Sequence, residues 1–157
     1  VPTLTKSIIL EGPNGAGKST LANQLAEKYM MPIVHATKPD GPFDAIEKAF
    51  RQSFSTVPVI YDRSHAVSRL VYQYDTIGDL ECDILVACAR HLSSDYTIIY
   101  CVGQGDRDMD KPHYTEELKE ATKDQNIIRQ KYDYIMRDLN YQKYDFAKDE
   151  IGSLQLT

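Results

Sequence analysis

Ser7-Ile8-Ile9-Leu10, then Gly12-Pro13-Asn14-Gly15-Ala16-Gly17-Lys18-Ser19, then Leu21, Leu25 and Tyr29 at four-residue spacing: this stretch decides the fold. The apolar run reads as a buried strand. The middle piece matches G-x-x-x-x-G-K-[ST]. The last positions give an amphipathic helix over residues 18–30. A strand, a Gly-rich turn and a helix, in that order, let a backbone wrap phosphate. The glycines allow N–H groups to turn toward phosphate oxygens, and the helix points its positive dipole end at them. Lys18 adds a full charge near the β- and γ-phosphates, and the Ser19 hydroxyl is placed to ligate Mg2+. At average residue frequencies this pattern arises by chance in roughly one chain in 200 of this length. The flanking strand and helix make chance rarer still, so the signal for nucleotide binding is strong. Gly12, Asn14, Gly15, Ala16, Gly17, Lys18, Ser19 and Thr20 are the expected ATP-binding residues.

Outward from that stretch, strands and helices alternate. Further strands are expected at 32–35, at 58–61 ending at Asp62, at 96–102 and, weakly, at 141–146. A helix follows the second strand, with Phe43, Ile46, Phe50 and Phe54 marking its apolar face. Another covers 64–74. A longer one, capped by Asp79, carries Leu80, Ile84, Leu85, Cys88 and Leu92. The last runs over 115–139, with Ile128, Tyr132, Ile135 and Leu139 facing inward. Residues 103–114 hold charge, glycine and proline but few apolar groups, and read as a mobile loop. The expected class is α/β: a five-stranded, mostly parallel sheet with helices on both faces, in one domain over 1–157. Ligands of such sheets bind beyond the C-terminal strand ends, where the phosphate loop and Asp62 both fall.

Composition narrows the function classes. Net charge is -5 with a pI near 5.3, which disfavours a polynucleotide partner. Cys82, Cys88 and Cys101 form no zinc or disulfide spacing, which points to reduced, mostly buried thiols. The start has no long apolar stretch and no run approaches the ~20 residues a bilayer span needs. A soluble cytoplasmic protein with no membrane partner is the expectation.

Among nucleotide binders, a transporter ATPase would need a signature segment and Glu after its strand-end Asp, whereas Arg63 follows Asp62. A GTPase switch is suggested by Asp75-Thr76-Ile77-Gly78 and Thr37-Lys38-Pro39-Asp40, but their order is reversed. A kinase fits better. Asp62 ends an apolar strand beside the phosphate loop, where it can hold Mg2+ with Ser19. Arg63 can clamp phosphate oxygens in a bidentate fork, although Asp-Arg neighbours also form plain surface ion pairs.

These residues carry a resemblance. Glu11 to Thr20 resembles the phosphate loop of thymidylate kinases and related small deoxynucleotide kinases, and Asp62-Arg63 resembles their DR motif. Tyr72-Gln73 is similar to the YQ that follows DR in bacterial members. Thr37-Lys38-Pro39-Asp40-Gly41 is loosely similar to their TREPGG loop. Departures are Asn14 where an acid is common, Lys38 for Arg, and Ser64 after DR. Asp62-Arg63-Ser64 thereby also resembles the ERS motif of deoxynucleoside kinases. The resemblance implies ATP and Mg2+ as cofactors, a lid over 103–114 with Arg107 as its arginine, and a homodimer. It implies a (deoxy)nucleoside monophosphate acceptor, most of all dTMP or a related deoxypyrimidine nucleotide. A deoxynucleoside kinase, or a kinase of a modified base or end in DNA, is the alternative. A virus-encoded origin fits the small size.

The expected roles follow. Lys18, Asp62, Arg63 and Arg107 are the catalytic candidates, and Ser19 and Asp62 the metal candidates. Asn14, Lys38, Arg63, Arg69, Tyr72 and Gln73 are the acceptor-binding candidates. Tyr72 can stack on a base, Gln73 can pair with an imide edge, and Arg69, one turn earlier, can touch phosphate. Each has a plain structural alternative; for Arg107 it is a solvated charged loop. A nucleoside acceptor would need a carboxylate base, for which Asp40 is the nearest candidate. His65 is placed to approach the acceptor, and Phe43 to line the pocket or the core.

Overall fold

The computed structural model describes residues 3–102 and 116–157. Five strands, β1 (Ile8–Glu11), β2 (Ile33–His35), β3 (Ile60–Asp62), β4 (Thr97–Cys101) and β5 (Gln142–Tyr144), form one sheet in the order β2-β3-β1-β4-β5. Every pair is parallel. The helices are α1 (Lys18–Tyr29), α2 (Pro42–Ser53), α3 (His65–Tyr72), α4 (Asp79–Asp95) and α5 (Glu116–Met136). Parallel neighbours need long crossovers, and the helices supply them. Strand β1 is central, with β3 on one side and β4 on the other. The chain changes direction about its C-terminal end, where a crevice opens.

Side chains alternate across the sheet. Ile9, Ile98 and Tyr100 join the core beneath α3, α4 and α5. Ile8, Leu10, Ile99 and Cys101 face Leu21 and Leu25 of α1. Beyond β5 the chain makes a short 3-10 turn, and Ile151, Leu154 and Leu156 pack on that second core. Among the described residues no helix is long and apolar enough to cross a membrane. Cys82, Cys88 and Cys101 are free thiols, the last two buried.

The expected strands and helices all form, but three details differ. Helix α2 does not bury its phenylalanines. Ala45, Ala49, Gln52 and Ser53 face inward, while Phe43 is 89% exposed and Phe50 and Phe54 are exposed too. The inward face is small because α2 packs close against α3 and α4, and its polar members are satisfied. Gln52 donates to the Arg63 carbonyl at 3.1 Å and accepts from the His65 N–H at 2.8 Å. Phe50 and Phe54 instead stack on each other outside, 6.2 Å between centroids. Second, Leu80 is 74% exposed because the inward position at the start of α4 belongs to Glu81. Third, Gly78 rather than Asp79 caps α4; Asp79 stands in the first turn, where its charge still favours the helix dipole. Ser64 caps α3, a role not read from the sequence, accepting from the Val67 N–H at 3.2 Å, and that helix stops at Tyr72.

Candidate active site

The phosphate loop leaves β1 at Gly12. Its φ of 148° is a conformation glycine tolerates, and a Cβ there would stand 2.2 Å from the Cys101 carbonyl oxygen. Gly17, at φ 82°, ends the loop under the Phe146 ring, where a Cβ would come within 2.6 Å. Lys18 opens α1 and folds back, donating from Nζ to the Gly12 and Pro13 carbonyls at 2.8 and 3.1 Å. Burial, and then the Arg63 charge, hold the Lys18 amine below its ordinary pKa. A cavity of 310 Å³ lies over the loop, lined by Asn14, Gly15, Gly17, Lys18, Ser19, Thr20, Asp62 and Arg63. Of the expected ATP-binding residues, Ala16 is turned into the core.

Residues 62–64 make a corner at the end of β3. Arg63 has φ 84°, rare outside glycine. Its N–H bonds to the Leu10 carbonyl at 2.9 Å, and its carbonyl accepts from Gln52. The turn sends three consecutive side chains three ways: Asp62 to the loop cavity, Arg63 between α3 and α5, Ser64 onto α3. Asp62 Oδ2 is 3.0 Å from His35 Nδ1, a partner the sequence did not reveal. Asp62 Oδ1 is buried with no hydrogen-bond partner among the described residues. An orphaned carboxylate oxygen on a residue that lines the same cavity as Ser19 has the chemistry of a hard-cation site, so these two residues fit Mg2+.

Arg63 is the most connected side chain of the site. Nη2 donates to Asn14 Oδ1 at 3.0 Å. Nη1 donates to the Tyr132 hydroxyl at 3.1 Å and lies 3.4 Å from the Tyr72 hydroxyl. Burial works against its charge, but the oxygens of Tyr132, Glu11 and Tyr72 more than offset that and keep it protonated. Beneath it lies Glu11, fully buried. Glu11 Oε1 accepts from the Ser64 N–H at 2.6 Å and from Ser68 Oγ at 2.8 Å; Oε2 accepts from the Tyr132 hydroxyl at 2.7 Å. Burial pushes the Glu11 carboxyl above its ordinary value, while Tyr132, Arg63, Ser68 and Ser64 pull it back. Neither Glu11 nor Tyr132 was assigned a role from sequence. A carboxylate ending an otherwise apolar strand was the available signal.

A second cavity, 360 Å³, adjoins the first across Arg63. Its lining includes Lys38, Arg63, His65, Arg69, Tyr72 and Gln73, and none of its described lining residues is acidic. Arg69 is not free to act as a bare cation. Its Nε and Nη2 donate to buried Glu81 at 2.9 and 3.4 Å, and Nη1 donates to Gln73 Oε1. Arginine only donates, so the amide oxygen of Gln73 must face it and the Nε2 group is left available. Burial, with Lys48 nearby, lowers the His65 pKa. Lys48 also fastens the 37–38 loop, donating to Thr37 Oγ1 at 2.9 Å and to the Lys38 carbonyl at 3.3 Å. Phe43 and Asp40 are exposed and line neither cavity. Arg107, Lys111 and the lid over 103–114 lie outside the described residues.

No family model matches the sequence, and no curated protein does. Solved structures do. The YorR protein of Bacillus subtilis, crystallised in complex with phosphorylated GDP, is 22% identical with a TM-score of 0.67, over 90% of this chain and 86% of that one. A shikimate kinase from Acinetobacter baumannii, in complex with shikimate, is 17% identical with a TM-score of 0.53, over 92% and 85%. A gluconokinase from Sinorhizobium meliloti 1021 is 15% identical with a TM-score of 0.51, over 94% and 86%. Likeness of this degree establishes architecture, and the chain has the fold of the P-loop kinases.

Proposed function

We propose that the chain is an ATP-dependent nucleotide kinase that moves the γ-phosphoryl of ATP onto a deoxynucleoside monophosphate, with dTMP as the leading acceptor. One observation carries this: the Arg63 guanidinium lines both cavities, so one fixed cation faces the donor phosphates and the acceptor together. The acceptor cavity offers Lys38 and Arg63 and no described carboxylate. That suits an acceptor bearing its own phosphate, whose oxygen is already anionic and needs no base. A nucleoside hydroxyl would need a carboxylate within reach, and Asp40 lies outside the cavity. The phosphorylated GDP bound by YorR supports a nucleotide ligand in this fold.

In this reading Asn14 to Thr20 and Lys18 bind the donor. Ser19 and Asp62 hold Mg2+, which when bound neutralises charge on the β- and γ-phosphates. Lys18 leaves the loop carbonyls for the migrating phosphoryl group, and Arg63 brackets donor and acceptor oxygens. Transfer is direct and in line, driven by positioning and charge stabilisation. Arg107 would complete the site from the lid. Tyr72 packs on the base, and the Nε2 group of Gln73, oriented by Arg69, donates to a base carbonyl. Thymine and uracil offer carbonyls at both edges of their imide, whereas cytosine presents an amino group at one.

The test is ATP turnover with Mg2+ against the common deoxynucleosides and their monophosphates, with a DNA oligonucleotide alongside. The expected result is turnover with dTMP and dUMP. dCMP should be disfavoured by about 1–3 kcal/mol, or about 5- to 150-fold, the cost of leaving the amide facing another donor. Turnover with nucleosides alone, or with the oligonucleotide alone, would refute the reading.

A further inference from the structure

Glu11 has no role in the transfer just described, yet it is the most deeply buried charge of the site. Its surroundings are unusually complete. One oxygen is held by the start of α3, through the Ser64 N–H and Ser68 Oγ at 2.6 and 2.8 Å. The other is held by α5, through the Tyr132 hydroxyl at 2.7 Å. That hydroxyl has one proton, given to Glu11, so toward Arg63 it can only accept, at 3.1 Å. Glu11 therefore fixes which way the Tyr132 hydroxyl points, and the hydroxyl fixes one Nη of Arg63. The carboxylate itself stands 4.0 Å from the same Nη1. Tyr132 cannot swing away: it is wholly buried, stacked on Tyr100 with centroids 5.6 Å apart and set edge-on to Tyr72 at 5.9 Å. Glu11 also immediately precedes Gly12, so the phosphate loop starts from the same anchor.

We propose that Glu11, acting through Tyr132, is a positioning residue for Arg63. It ties the bridging guanidinium, the start of α3 and helix α5 to one buried carboxylate. Its kinetic consequence rests on the kinase reading above. An arginine lying between two cavities must keep one direction while each fills, and Glu11 supplies the fixed reference. The effect falls on the transfer step, since ATP is bound mainly by loop backbone that Glu11 does not touch.

Two variants test this, Tyr132→Phe and Glu11→Gln, the first preserving the buried ring should the second fold poorly. The first readout needs no activity. In 1H–15N spectra of the free protein the Arg63 guanidinium, assigned by its disappearance in Arg63→Lys, should show hindered rotation. In both variants its Nη signals should coalesce. The second readout is kinetic: kcat should fall about 10- to 100-fold, as for a displaced positioning group, with KM for ATP unchanged. Equally hindered Arg63 signals in wild type and variants would overturn the proposal, whatever the activity. So would unchanged kcat, or loss that appears only as a raised KM for ATP. Signals that coalesce as expected in a protein with no phosphotransfer would keep Glu11 as the anchor of Arg63 and sink the kinase reading instead.

Discussion

Replacing Glu81 by alanine should be among the costliest changes in this chain, at a residue that touches neither cavity. Arg69 and Glu81 have side chains only 8% and 6% exposed and are joined at 2.9 Å. Removing one member of a buried pair leaves an uncompensated charge, at a cost of about 3–5 kcal/mol. Against a total stability of about 5–15 kcal/mol this is a large share. At about 2–4 °C per kcal/mol for a chain of this size, Tm should fall by roughly 6–20 °C. Replacing both partners with apolar groups, Arg69→Met with Glu81→Leu, should recover most of the loss, because no charge is then stranded. Urea unfolding of Arg69→Met, Glu81→Leu and the double closes the cycle. Specificity should behave differently: without Arg69 the Gln73 amide can flip, so the double variant should be stable yet accept dCMP more nearly as well as dTMP. A Glu81→Ala protein within about 1 kcal/mol of wild type, or a double variant as unstable as the single, would refute the account of this pair.

Lys18→Ala should lower phosphotransfer by about 100- to 1,000-fold, the scale for losing a fixed charge on a developing anion, while circular dichroism and Tm stay near wild type. Gly12→Ala should lower stability by at least about 1–3 kcal/mol for the unfavourable φ alone, with the 2.2 Å approach to the Cys101 carbonyl adding to it; chemical unfolding checks this. His65 has a folded pKa below its ordinary 6.5. The unfolded chain then binds more protons as pH falls below 6.5, so wild type should lose stability there and His65→Gln should lose less. Melting curves across that range would show it.

The sequence was most legible where the determinants are local. The phosphate loop, the four strongest strands and the Asp62-Arg63 corner each sit within a few residues of the apolar run that defines them. What could not be read depends on partners far along the chain. Glu11 and Tyr132 are 121 positions apart, and only the packing of α5 against the sheet brings them together. Arg69 reads as a lone cation, and its pairing with Glu81 twelve positions on is seen only once α3 and α4 are packed together. The α2 phenylalanines show the opposite failure, a correct apolar spacing on the wrong face. Close approach to α3 and α4 favours alanine there, a preference periodicity does not encode.

The left-handed turn at Arg63 has an evolutionary consequence. The upstream residues that line the loop cavity lie in one short continuous segment, residues 14–20. The wall of the second cavity comes from residues 36–39 and from His65, Ser68, Arg69, Tyr72 and Gln73. Only the corner belongs to both. On the kinase reading proposed above, substitutions in that second wall change what is phosphorylated without disturbing how ATP is held. The corner residue itself cannot drift, since it would alter both grips at once. On that reading a new acceptor is reached by exchanging small pieces of wall around a constant hinge-pin.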